Sequence, residues 1–79
     1  MREFKIRLRS VQEVREFVDL ATVKPFVIQV CDDSRCVNAK SFMEMFSLNF
    51  SNCLTVKSEG YDWEFDQFIR DAQRFLANE

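Results

Sequence analysis

The chain has no histidine, and among its 79 residues it has one glycine, one proline, one tryptophan and one tyrosine. Without an imidazole, a zinc site would need all three cysteines and a carboxylate. The C-x4-C spacing of Cys31 and Cys36 is neither a finger nor a ribbon spacing, so no metal is expected. Gly60 is the only glycine, so no glycine-rich loop is available to build a small-ligand pocket. Basic residues number 11 and acidic residues 13, giving a net charge of −2; this balance supplies neither a basic field for nucleic acid nor an acidic tail. No apolar run approaches the length of a membrane span, and the first residues alternate like a strand instead of forming a signal peptide. The expectation is a complete cytoplasmic protein of one domain, residues 1–79, with no cofactor.

Phenylalanine, in contrast, occurs nine times. A domain of this length buries only about 60% of the surface its unfolded chain exposes, so most of these rings are needed in the core. Any left outside calls for an explanation.

Phe4, Ile6 and Leu8 alternate with Lys5, Arg7 and Arg9, which predicts a strand with one buried face. Arg2, Lys5, Arg7 and Arg9 read as its solvated basic face, since the exposed aromatic pair of an RNA-binding strand is missing. Ser10-Val-Gln-Glu13 is a capping box, after which Val11, Val14, Phe17, Val18 and Ala21 recur at helical spacing. Past Pro25, the strand formers Phe26–Cys31 and Cys36–Ala39 flank the polar turn Asp32–Arg35 and predict a hairpin. Ser41 and Glu44 make a second capping box ahead of Phe42, Met45 and Phe46, and predict a short helix. Its spacing turns Met45 and Leu48 inward and leaves Phe42, Met43 and Phe46 partly outside. Cys53–Lys57 reads as a fourth strand. Asp62 reads as the cap of a last helix carrying Phe65, Phe68, Ile69, Ala72, Phe75 and Leu76.

The order is therefore βαββαβα, an α+β open-faced sandwich with a four-stranded, largely antiparallel sheet and helices on one face. One architecture with this order is a ferredoxin-like domain with an added helix; as a small-ligand binder it would need a pocket between sheet and helices.

The other is carried by Val37-Asn-Ala-Lys-Ser-Phe-Met-Glu-Met-Phe-Ser-Leu48. This stretch resembles the regulatory-serine segment of the HPr family, the phosphocarriers of the bacterial sugar phosphotransferase system. Val37–Ser41 is most similar to the catabolite-repression HPr-like proteins, which act only in regulation. The short middle helix and longer final one suit that fold, and the resemblance extends over nearly the whole chain with a shortened loop ahead of the first helix. At that loop the family carries Gly-x-His-x-Arg-Pro. Here the residues are Arg9-Ser10-Val11-Gln12-Glu13, so Ser10 stands at the degenerate phosphocarrier position, and the motif's histidine, arginine and proline are all missing. A serine phosphate is a stable ester with little tendency to be passed on. Ser10 is accordingly expected to be a helix cap, and the protein is expected to be neither an enzyme nor a carrier.

The resemblance implies that Ser41 is the target of an HPr kinase, with Lys40 beside it. It also implies that Phe42, Met43 and Phe46 dock the catabolite-control repressor or phosphotransferase components. At Glu44 the family usually has glycine, so a carboxylate here would repel a phosphate, and cap-only and regulatory readings of Ser41 both stand. Core and contact readings likewise stand for Phe42 and Phe46. A divergent HPr-fold binding module unrelated to sugar uptake is the alternative function. Cys31, Cys36 and Cys53 are expected as reduced, half-buried residues, with a redox-labile Cys31–Cys36 pair as the alternative. Tyr61 and Trp63 are expected to pack structurally.

Overall fold

The computed structural model describes residues 2–77 of the chain, and Met1 of the expected first strand lies outside them. The elements are β1 (Arg2–Ile6), α1 (Val11–Thr22), β2 (Ile28–Cys31), β3 (Cys36–Asn38), α2 (Phe42–Phe46), β4 (Leu54–Ser58) and α3 (Asp62–Asp71). A 3-10 turn over Gln73–Phe75 follows. The strand order is β1-β4-β2-β3, with every neighbouring pair antiparallel. This is the expected α+β open-faced sandwich.

Alternation along the strands sorts side chains onto two faces. Phe4 and Ile6, Ile28 and Val30, Val37, Leu54 and Val56 point toward the helices and join one core with Val14, Phe17, Val18 and Ala21 of α1 and Phe68 of α3. Rings fill the space between sheet and helices. Phe68 lies 5.5 Å from Phe4, 6.0 Å from Phe17 and 6.0 Å from Phe26 between centroids, and Phe17 also meets Phe75 edge-on at 5.7 Å. The interior pocket that a ferredoxin-like ligand binder requires is occupied by these side chains.

Several local expectations are corrected. Arg2 shares the even register of Phe4 and Ile6, so it does not belong to the basic face; its guanidinium lies over the Phe65 ring at 4.8 Å and pairs with Asp62. Strand β2 starts at Ile28, not at Phe26, whose ring instead packs on Phe68. Helix α3 is capped by Tyr61, not Asp62: the Tyr61 N–H donates to Glu64 Oε1 at 2.9 Å, which makes Asp62 the first helical residue. Gly60 precedes it at φ 110°, where an added Cβ would come within 2.7 Å of that same Glu64 oxygen. Tyr61 and Trp63 do not pack inward and are mostly exposed, because the inward stripe of α3 runs through Phe65 and Phe68 and leaves Trp63 on the far side.

The last helix also ends earlier than its periodicity suggests. The chain turns after Asp71 to run back along the free edge of β1, where Arg7 N–H donates to Phe75 O at 2.8 Å and Ala77 N–H donates to Lys5 O at 3.0 Å. Edge closure and the burial of Phe75 outweigh another helical turn.

Candidate functional site

At the start of α1, Ser10 Oγ accepts from Glu13 N–H at 3.2 Å, as a cap should. The return arm differs from the expected box: Glu13 Oε1 accepts from Arg9 N–H at 2.8 Å, one residue upstream of the cap. A carboxylate thus lies at this helix start, bonded to the N–H of the residue before the cap. Val11 is not part of the core stripe; it is exposed and lines a shallow groove with Arg9, Ser10, Phe50 and Ser51. Arg7, also on the groove, is directed at the α2–β4 connection, with Nη2 3.4 Å from Cys53 Sγ.

α2 has one turn and a half, and its side chains divide as its spacing predicts. Met45 and Leu48 are buried, while Met43 is 86% exposed and Phe46 41% exposed. Phe42 is half-buried against the core, its ring stacked on Phe46 with centroids 6.4 Å apart and planes 20° apart. From α1, the Arg15 guanidinium lies over the Phe42 ring at 5.4 Å. Phe46 is the most exposed of the nine phenylalanines, since five are buried and Phe4, Phe42 and Phe50 are half-buried. Solvation of a stacked aromatic pair beside an exposed methionine costs a small domain core area it could have used.

Ser41 caps α2 by accepting from Glu44 N–H at 3.3 Å. The second capping box is not reciprocal. Glu44 Oε1 accepts from Asn38 N–H at 3.0 Å, satisfying a donor on the outer edge of β3 that a sheet edge would otherwise leave open. Lys40, the residue before Ser41, donates from Nζ to Lys24 O at 2.7 Å.

The far end of α2 is tied to the β2–β3 turn, a link that sequence reasoning missed. Arg35 Nη2 donates to Ser47 O at 2.6 Å. Asp32 gathers three backbone donors: Oδ1 accepts from Ser34 N–H at 2.8 Å and Arg35 N–H at 2.9 Å, and Oδ2 accepts from Asn49 N–H at 3.0 Å. An aspartate opening a polar turn signals the first two bonds but not the third, which reaches 17 residues along the chain. Cys31 and Cys36 are bonded as a disulfide, which corrects the expectation of reduced residues; the hairpin makes them register partners.

The hydrogen bonds from Asn49, Ser34 and Arg35 hold the Asp32 carboxyl below its ordinary value of 3.8. Its contribution to stability is then complete above that value and is lost as pH falls through the lowered folded value. Asp71, bonded by Lys24, shifts in the same direction. Acid titration of unfolding is expected to show stability falling below about pH 4. Asp32→Asn should flatten the Asp32 share of that slope, leaving that of Asp71. A slope identical in both proteins would contradict this assignment.

The fold and the site together define a small α+β open-faced sandwich, with an exposed apolar α2 surface and a serine-capped α1. No protein-family model and no curated protein matches the sequence. Among solved structures, the chain is similar to HPr-C-His from Thermoanaerobacter tengcongensis, with 30% identity and a TM-score of 0.75 over 91% of this chain and 90% of that one. It also shares the fold of a phosphocarrier protein HPr from Bacillus anthracis str. Ames, with 21% identity and a TM-score of 0.72 over 96% of this chain and 94% of that one. The chain belongs to the HPr-like family. No helix among the described residues is long and apolar enough to cross a membrane.

Proposed function

We propose that this protein is a phosphotransferase-related HPr-like protein that regulates by docking other proteins and does not carry phosphate. The observation that supports this most is the absence of any histidine from a chain whose fold is that of the phosphocarriers. Ser10, at the degenerate position, already accepts a hydrogen bond as a cap, and the Glu13 carboxylate, bonded to Arg9 N–H, places a negative charge where a phosphate would sit. In this reading the 79 residues act in the cytoplasm as one non-enzymatic domain. Phe42, Met43 and Phe46 form the docking surface, and the partners are the catabolite-control repressor or components of the phosphotransferase system. Ser41 is the regulatory site, phosphorylated by an HPr kinase. Glu44 is the residue that slows this, because its carboxylate lies one helical turn on and repels the incoming charge.

Two incubations test the reading. With phosphoenolpyruvate and the general phosphotransferase enzyme, the mass of the protein is expected to stay unchanged; a phosphate gained in this way overturns the non-carrier assignment. With ATP and an HPr kinase, one phosphate on Ser41 is expected, absent in Ser41→Ala and added faster in Glu44→Gln. No label on Ser41 in any of these would favour the second reading, a divergent HPr-fold binding module unlinked to sugar uptake. The specific observations behind that alternative are Glu44 and the shortened loop before α1.

A further inference from the structure

Cys31 and Cys36 face each other across the β2–β3 hairpin. Ala39 N–H donates to Ile28 O and Asp32 N–H donates to Arg35 O, both at 3.0 Å. In an antiparallel ladder bonded and non-bonded pairs alternate, so Cys31 and Cys36 form a non-bonded pair, the kind in which side chains approach most closely. Both sulfurs lie on the sheet face that no helix covers. Cys31 shares a row there with Thr55 of β4 and Lys5 of β1. Cys36 is exposed while Cys31 is 8% exposed, and Glu3, Thr55 and Lys57 edge a shallow hollow over the pair. An incoming thiol thus reaches Cys36 first.

The loop closed by this bond is the one that holds the end of α2. Arg35 reaches Ser47 O, and Asp32 holds Asn49 N–H, so among the described residues the two side chains of the Asp32–Arg35 turn that bond beyond it both anchor residues flanking the α2 C-terminus. We propose that Cys31 and Cys36 form a reversible dithiol–disulfide site on the open face of the sheet, in exchange with a small-molecule thiol–disulfide couple. Its state sets how firmly α2 and its patch are held. On reduction, an external thiolate attacks Cys36 Sγ, the protein S–S bond breaks and Cys31 leaves as a thiolate that takes a proton from water. A second thiol of the reductant then forms a disulfide with the first and releases Cys36 as a thiol. Two electrons pass from two external thiols to the pair, and oxidation by an external disulfide reverses both steps. A cytoplasmic protein faces a reducing thiol pool, in which such a bond is regulatory rather than a permanent staple. The consequence for docking rests on the reading of α2 as the docking surface.

The full chain carrying Cys53→Ser leaves the pair as its only thiols. After dithiothreitol, two alkylatable thiols are expected; after glutathione disulfide, none, with no glutathione attached. Hydrogen exchange of the two forms should then differ at Arg35 and Ser47–Asn49, about tenfold faster when reduced, with α3 amides unchanged. A stable glutathione adduct, two thiols that stay alkylatable, or identical exchange profiles would each overturn the proposal. So would loss of α3 protection on reduction, since it makes the bond a staple for the whole fold. No partner enters the experiment, so failure of the redox site and failure of the docking reading are seen separately.

Discussion

Phe68→Ala is expected to lower the free energy of unfolding by about 3–5 kcal/mol, the largest loss from any single substitution in this chain. Phe68 is fully buried and its ring touches Phe4 of β1, Phe17 of α1 and the Phe26 ring ahead of β2, so it joins three elements that are distant in sequence. Truncation removes apolar area and leaves a cavity bounded by rigid rings that cannot all close on it. Small domains lie toward the low end of the usual range of about 5–15 kcal/mol, so the variant should be substantially unfolded at physiological temperature. Guanidinium denaturation followed by far-UV circular dichroism measures this. Trp63→Ala is the control: its side chain is mostly exposed, and a change within about 0.5 kcal/mol is expected. A loss at Phe68 no larger than that at Trp63 would contradict the packing described here.

The second large effect concerns the α2 surface. On the docking reading proposed above, Met43→Ala and Phe46→Ala are each expected to weaken binding of the proposed partner, the catabolite-control repressor or a phosphotransferase component, by about tenfold, or roughly 1.4 kcal/mol. Met43 lies outside, so unfolding should change little in Met43→Ala, whereas Phe46→Ala removes a partly buried ring stacked on Phe42 and should lose some stability as well. Phe42→Ala is a mixed case, because the ring is half-buried and carries the Arg15 guanidinium as well as the Phe46 stack. It should lose both affinity and stability. Titration calorimetry with the purified partner distinguishes the two contributions. Equal affinities for wild type, Met43→Ala and Phe46→Ala would remove α2 as the contact.

Short-range patterns were legible where a repeat of buried positions coincided with a local hydrogen-bond signal. Ser10 and Ser41 each precede an apolar periodic run, and both cap the helix predicted from it. Met45 and Leu48 turned inward because three-residue spacing on so short a helix leaves few alternatives. The same reasoning failed where a side chain had several partners within reach. Glu44 could return to Ser41 or extend to Asn38, and it takes Asn38 because the β3 edge presents an unbonded N–H there. Lys40 reads only as a neighbour of Ser41, and its bond to the Lys24 carbonyl has no sign in the sequence. Arg2 was misassigned by its charge, although the two-residue alternation of Phe4, Ile6 and Leu8 already puts it in their register, as the pairing with β4 shows.

By itself the sequence determined the order of elements, the two capped helix starts and the absence of an imidazole for phosphate transfer, because each depends on residues a few positions apart or on composition alone. Tertiary structure decided the rest. It joined the Asp32–Arg35 turn to the end of α2, returned the last residues to the edge of β1 and left Tyr61 and Trp63 outside. The pairing of Cys31 with Cys36 was legible in the predicted hairpin, but only the packing of helices on the other side left the pair on an uncovered face. These contacts depend on which strands become neighbours, and that arrangement follows from burying all the inward rings at once, a requirement no short segment of the chain expresses.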